Sequence, residues 1–361
     1  MVPVPVPKPI IDALTNVQVT TQVGEPSGFQ LTFAFSSKSP LNTLLLLLGQ
    51  VGPFIRTIIL VNLNGKQHVL MDGMITKHQV TPNVQTGQSV LTVNGIDLTA
   101  LMGYIDFSGI PYPAMPAEAR VALVIAKYAF LGMIPVVIPS VFFDVPLPTN
   151  RIPNHQGTDL EYIEMLAKEV GYVFYIDPGP VPGTNTAYWG PEIKVGPVQP
   201  ALNVNMDVHT NIESLSFSFN GEVQSMPIVF IQNEQTKIPI PIPIPNISLL
   251  NPPLAVIPPI PTRFPLMRNT ANLNPVRAIA RGLAEASGSA DAVTGTGSLN
   301  VVRYGHVLKA RSLVGVRGAG DAFNGLYFVK SVTHNIKQGE YKQDFTLARN
   351  GLVSTLPVVP T

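Results

Sequence analysis

The stretch from Phe323 to Gly351 reads FNGLYFVKSVTHNIKQGEYKQDFTLARNG, and its pattern predicts two antiparallel β-strands joined at Gln338-Gly339. In the second strand Tyr341, Gln343, Phe345 and Leu347 alternate with Lys342, Asp344 and Thr346. Successive side chains of a strand point to opposite faces, so this alternation is what a half-buried strand requires. The first strand, Leu326 to Ile336, is rich in aromatic and β-branched residues and starts behind the turn dipeptide Asn324-Gly325. Its polar residues fall where a solvated or partner-facing side would put them, and none forms a catalytic grouping.

The surrounding chain has 361 residues, long enough for two or three domains and a sizeable core. Hydrophobic residues make up 45% and charged residues 12%, roughly half the ~25% usual in soluble globular proteins. A protein exposed to water on all sides normally carries a mixed charged surface. A chain this poor in charge is therefore expected to be covered by other subunits; the plainer reading is a β-rich protein with a polar, uncharged exterior. The net charge of +1 leaves no electrostatic footprint for nucleic acid.

The absence of cysteine excludes disulfide frameworks, thiolate zinc sites and thiol nucleophiles, and fits a cytoplasmic origin. The start, MVPVPVPKP, lacks the basic and apolar regions of a signal peptide. Leu44 to Leu48 is the most hydrophobic run, but Gly49, Gln50, Pro53 and Arg56 break it well short of the ~20 residues a membrane helix needs. It is expected to be a short buried segment, with no membrane insertion.

Proline is unusually frequent, at 36 residues, and it is clustered. Pro3, Pro5, Pro7 and Pro9 form an N-terminal arm. Pro239, Pro241, Pro243 and Pro245 alternate with isoleucine, and further prolines follow to Pro265. Proline has no amide donor and holds the preceding residue extended. Lys237 to Pro265 therefore cannot be helix or central strand, and a stiff arm is expected. Its apolar residues favour docking on a neighbouring protein over a bare surface linker.

Two β regions flank a helical middle. In the first, Val17 to Val23, Gly28 to Phe35 and Ser89 to Asn94 are strands, and Ile55 to Asn62 pairs with His68 to Val80 across Asn64-Gly65. Asp97 to Met102 fits one helical turn. Strands so closely spaced suggest a small antiparallel barrel or sandwich. Ala117 to Leu131 is apolar at helical spacing. Thr158 to Val170 carries a capping box at Thr158 and Glu161 and stops at Gly171. Tyr172 to Ile176 reads as a strand, and Pro178 to Pro200 as loops around Trp189. The second β region holds Ile212 to Phe219 and Pro227 to Gln232. After the arm come a helix at Pro275 to Glu285, a Gly/Ser/Thr/Ala-rich segment to Ser298, and strands that resume at Leu299 and continue through Val307 to Leu313.

Chemistry is sparse. His155 with Asp159 and Glu164 comes nearest to a metal or acid–base cluster, but Asp159 and Glu164 are five residues apart and do not share a helix face. A solvated helix N-terminus with favourable acids is the expected role. The GVRGAG segment within Val314 to Phe323 lacks the lysine of a phosphate loop and reads as a glycine-rich turn. No catalytic, cofactor-binding or metal site is expected, and no enzyme activity.

Asn154 to Tyr175, NHQGTDLEYIEMLAKEVGYVFY, resembles the late control D family of phage tail hub proteins. The matching residues are Gln156, Asp159-Leu160, Tyr162-Ile163, Leu166-Ala167 and Gly171-Tyr172. The opening hairpin resembles the same family's C-terminal signature through Gly325, Tyr327, Val329, Ser331 to His334, Tyr341 and Phe345. Met71 to Ile75 and Val93 to Leu98 match two further strands, in consistent order.

The resemblance implies a mainly β (α+β) fold: two tail-tube-like antiparallel β-barrels with a helical insertion domain and a proline-rich arm. Residues 1–110 would form the first barrel and 111–200 the insertion. Residues 201–235 and 297–352 would form a split second barrel, interrupted by the arm at 236–296. It implies a homotrimeric baseplate hub that adapts a six-fold tail tube to a three-fold spike, in a contractile phage tail or related injection particle assembled in the bacterial cytoplasm. Partners would be the tail tube protein, the spike protein and other baseplate subunits. No needle-like repeat or lysozyme-like acid arrangement follows the second β region, so the spike is expected to be a separate protein. A tube terminator or other tail subunit is the nearest alternative; a cell-wall-binding or cell-wall-cleaving tail protein is a further one.

Overall fold

The computed structural model describes residues 3–36, 39, 54–82, 89–140, 148–149, 152–222, 224–232, 239–244, 252–267, 275–288 and 291–356. The Leu44 to Leu48 run lies outside them.

The first β region contains β1 (Leu14–Gln22), β2 (Gly28–Phe35), β3 (Arg56–Leu63), β4 (Lys66–Pro82) and β5 (Ser89–Asp97), behind a short helix α1 (Lys8–Asp12). Helix α2 (Thr99–Met102) leads into the middle, which holds α3 (Ala117–Ala126), β6 (Met133–Val137), α4 (Asp159–Val170), β7 (Val173–Pro178), β8 (Asn185–Gly190) and β9 (Val198–Asn203). The second β region and arm contain β10 (Ser214–Phe219), β11 (Ile228–Gln232), β12 (Pro239–Pro243), β13 (Ala255–Ile257), α5 (Pro275–Gly288), β14 (Val293–Asn300), α6 (Val301–Tyr304), β15 (Leu313–Arg317), β16 (Gly325–Lys337), β17 (Glu340–Arg349) and β18 (Leu352–Ser354).

The fold is mainly antiparallel β, and the two β regions share one sheet. Its order is β10-β14-β17-β16-β1-β2-β5-β4-β3, with β15 pairing β16 and β9 pairing β15. The regions meet where β1 runs against β16, from Asn16 opposite Lys337 to Gln22 opposite Ser331. The strands described form no closed ring: β10 and β3 end the path. The hairpin forms as read, with Lys337 opposite Glu340 and Gly339 at φ 79° in its two-residue turn. Asn64 and Gly65, both at positive φ, close β3 on β4.

The middle packs β6, β8 and β7 as a separate three-stranded sheet under α3 and α4, around Trp189, Tyr162, Ile163 and Ile125. The capping box at Thr158 and Glu161 is present, and Gly171 takes the left-handed stop at φ 70°.

Several expectations are corrected. The predicted helix to Leu131 ends at Ala126 and is followed by a single 3-10 turn at Ala129–Leu131. Pro178 to Pro200 is not all loop, since β8 and the start of β9 lie there; Asn185–Gly190 is short, but both of its edges are paired. Val307 to Ser312 is not strand; β15 starts at Leu313 and runs into the glycine-rich segment to Arg317.

The strands resume earlier than Leu299, because the end of the Gly/Ser/Thr/Ala-rich segment is strand β14 from Val293. A Cβ at Gly295 would lie 2.8 Å from the Phe217 ring, and one at Gly297 2.7 Å from the Phe345 ring. The glycines make room for aromatic rings that fill the space a side chain would otherwise occupy.

The proline arm is extended but not free. Ile240 and Ile242 alternate with prolines in β12, which among the described residues pairs with β11 alone. Prolines can occupy such an edge because their missing donors point away from the ladder. Ile242 and Ile244 pack with Val229 and Met267 against Ala278, Ile279 and Leu283 of α5. Part of the arm is therefore buried on the chain's own helix rather than left for a neighbour.

Candidate functional site

The principal surface feature is one face of the large sheet. Asn300, Lys342, Asn335, Gln18, Gln30, Asn94 and Lys77 stand opposite one another in a row across seven strands. Beside it run Ser214, Ser298, Asp344, Thr333 and Thr20, then Ser216, Thr296, Thr346, Ser331 and Gln22. All are half-buried or exposed.

Hydroxyls and amides on this face bond one another. Thr20 Oγ1 is 3.1 Å from Thr333 Oγ1, Ser216 Oγ is 3.0 Å from Thr296 Oγ1, and Gln18 Nε2 donates to Asn335 Oδ1 at 3.3 Å. Lys342 is held between Glu213 and Glu340, each at 3.1 Å. The face is thus polar and carries few charges.

The opposite face shows why. Leu299, Gln343, His334, Val19, Phe29, Gly95 and Ile75 form the matching row one residue along, and from Leu299 to Gly95 they are buried. Period-two alternation in seven successive strands puts apolar residues on one side and small polar residues on the other.

Two further surfaces are open. Among the described residues the sheet ends at β10 and β3, and β4 continues past β3 with Thr76 to Pro82 exposed. The distal arm is tied down at both ends: β13 pairs with β18, and Met226 N and Ile228 N donate to the carbonyls of Arg263 and Pro265. Along this arm Val256, Ile257, Ile260, Phe264 and Leu266 remain exposed, Ile260 at 83%.

The residues that carried the sequence resemblance are architectural. Met71 to Ile75 and Val93 to Leu98 are neighbouring antiparallel strand segments, with Gly73 opposite Asp97 and Ile75 opposite Gly95. A Cβ on Gly95 would lie 2.3 Å from both the Met74 carbonyl and the Phe29 ring, so only glycine fits. Asp72 accepts from Arg56 and from Asn185 Nδ2 at 2.9 Å, joining the sheet to the insertion. Asp97 accepts from Ser27 N and Thr99 N; burial pushes its carboxyl pKa up against those bonds. In the hairpin, Gln343 is fully buried and satisfied twice by Leu308, donating to its carbonyl and accepting from its amide.

The His155–Asp159 group is also built differently from expectation. Both residues are in the core, not on a solvated helix end, because α3 crosses the start of α4. Asp159 accepts from Lys127 Nζ at 2.8 Å and Tyr128 Oη at 2.8 Å, and His155 Nε2 lies 3.4 Å from its Oδ1. Tyr112 Oη is 3.0 Å from His155 Nδ1. Burial lowers the His155 pKa, while burial and then the Asp159 bond raise that of Tyr128. Glu164 is exposed and stands apart. Among the described residues no group of His, Asp and Glu is placed to hold a metal. No helix there is long and apolar enough to cross a membrane.

The same fold is seen in solved tail proteins and in a secretion-system component. A tail protein from Neisseria meningitidis MC58 superposes with a TM-score of 0.61 at 12% identity, covering 94% of this chain and 93% of that one. The 43 kDa tail protein of prophage MuSo2 from Shewanella oneidensis gives 0.62 at 13% identity, covering 93% and 94%. An Escherichia coli component of the type VI secretion system, itself described as similar to T4 bacteriophage tail proteins, gives 0.57 at 12% identity over 96% and 77%. At these identities the likeness is one of fold. No family model and no curated protein matches the sequence.

Proposed function

We propose that the chain is a structural, non-enzymatic baseplate hub subunit: a homotrimer that continues a six-fold tail tube and seats a three-fold spike. The observation that carries this reading is the hydroxyl- and amide-rich face, with few charges, that runs across seven strands of the sheet. Such a face holds water but offers few fixed charges, which suits a channel through which a charged polymer must pass without sticking.

The open edges supply the means of assembly. Exposed strand edges are a liability in a free protein and a template for pairing in an assembly. Three copies joined edge to edge, β10 of one against the β3–β4 end of the next, would extend the sheet into a ring with no edge left over. Each chain contributes two β regions, so three chains present six comparable units to the tube. The exposed arm residues Ile257, Ile260, Phe264 and Leu266 would contact other baseplate subunits. The fold shared with tail and secretion-system proteins supports this reading and a location at the tail or baseplate of an injection particle, whether phage, tailocin or another system.

Native mass spectrometry of the purified chain with its tube protein, followed by electron microscopy of assembled particles, tests the proposal. A trimer at the tube end is expected. A chain that stays monomeric at high concentration with tube protein present would sink it.

A further inference from the structure

Arg120 of α3 is only 7% exposed, yet its guanidinium has no counter-charge among the described residues. Its Nε donates to the Pro116 carbonyl at 3.4 Å and its Nη1 to the Tyr162 hydroxyl at 2.6 Å, both neutral oxygens. Glu118, on the same helix, is engaged elsewhere, accepting from Ser140 N at 2.9 Å. A buried cation is costly unless an anion or a full set of acceptors meets it. Guanidinium carries five N–H donors in a planar fork, and two of them are used here.

Arg120 and Tyr162 together line a cleft of about 280 Å³ that opens to the surface beside α4. Ile152 supplies an apolar wall, the exposed residues Asn154 and Gln156 contribute amides, and Glu169 stands at the mouth. A planar cation at the base of an apolar, amide-lined cleft is the complement of a carboxylate on a short aliphatic stem.

We propose that this cleft receives a glutamate or aspartate side chain from a neighbouring subunit of the particle. The carboxylate would take the free edge of the Arg120 fork, and its methylenes would lie on Ile152. That the carrier is a neighbouring subunit rests on the hub reading; the carboxylate site itself does not.

Glutarate is the probe for the site. The full chain, labelled with ¹⁵N-arginine, is titrated with glutarate while the Arg120 Nε–H resonance is followed, with sodium chloride at matched ionic strength as the control. A saturable shift absent from the chloride control is expected. Arg120→Gln should abolish it, and Glu169→Gln, which removes a like charge from the mouth without touching the guanidinium, should tighten binding several-fold. No saturable shift, an equal response to chloride, or unchanged affinity in Glu169→Gln would overturn the site.

A photo-crosslinker placed at Ile152 in assembled particles tests the carrier. Capture of an acidic segment of another subunit supports the proposal. Glutarate binding without capture, in particles that tolerate Arg120→Gln, would assign the cleft to free carboxylates and overturn the partner. If the chain enters no particle at all, the hub reading fails while the titration still decides the site.

Discussion

The guanidinium of Arg56 grips both carboxylate oxygens of Asp72, 2.7 Å from Nε and 2.6 Å from Nη2, and the same Nη2 donates to the carbonyls of Leu131 and Gly183. This buried fork ties the large sheet to the insertion. Removing one partner leaves the other charge buried and unpaired, so Arg56→Met should cost about 3–5 kcal/mol. The double variant Arg56→Met/Asp72→Leu should cost less than the two single changes added together. Urea unfolding of the isolated chain measures both. Hydrogen exchange should quicken first in β6 and β8, which follow the two bonded carbonyls.

Acid should weaken the hairpin through His334. Burial drives its pKa down from 6.5 to about 4, and the neutral ring lies 2.7 Å from the Tyr341 hydroxyl. Between those values the unfolded chain binds a proton that the folded chain refuses. Stability is therefore full above about pH 6.5 and falls as pH drops toward 4, by about 3 kcal/mol when that span is complete. His334→Gln should flatten most of this slope in denaturation curves recorded across pH. His155, also lowered by burial, retains part of it. A slope unchanged in His334→Gln would remove His334 from the account.

Much of the β architecture was legible because period-two alternation survives wherever one sheet face is buried. The hairpin at 325–349, the Asn64-Gly65 turn and the capped helix at 159–170 all carry strong local signals. What could not be read depends on contacts distant in sequence. β14 was not read as a strand because its glycines gain meaning only beneath Phe217 and Phe345. The isoleucines of β12 looked exposed because α5, more than thirty residues on, covers them. The polar face was visible only as Lys342, Asp344 and Thr346 on one strand; its extent needed the register of its neighbours. Asp159 gave no sign of burial, since Lys127 and Tyr128 reach it from another helix.

Gly95 should tolerate no side chain. An alanine Cβ would meet the Met74 carbonyl and the Phe29 ring, both at 2.3 Å. Backbone cannot yield as a flexible side-chain tip does, so Gly95→Ala should cost about 1–3 kcal/mol. Shrinking the ring with Phe29→Leu should recover only part of that loss, because the carbonyl clash remains. Thermal melts of the single and double variants would show it, and full recovery would mean the carbonyl contact is relieved by a small backbone shift.

The two faces of β17 should separate folding from assembly. Phe345 and Leu347 are buried among Val329, Val332 and Leu299. Phe345→Asp places an unpaired charge in that core and should prevent the isolated chain from folding. Lys342 and Asp344 stand on the polar face, where their partners are Glu213, Glu340 and Asn335. Lys342→Glu and Asp344→Lys should leave the melting temperature of the isolated chain essentially unchanged. If this face lines a channel shared by three copies, each substitution is repeated three times around one ring, and like charges then crowd a space that was nearly neutral. Incorporation into particles, or passage of their contents, should fall while folding does not. Unfolding of the isolated chain by either polar-face substitution would mean that this side of the sheet serves stability rather than the channel.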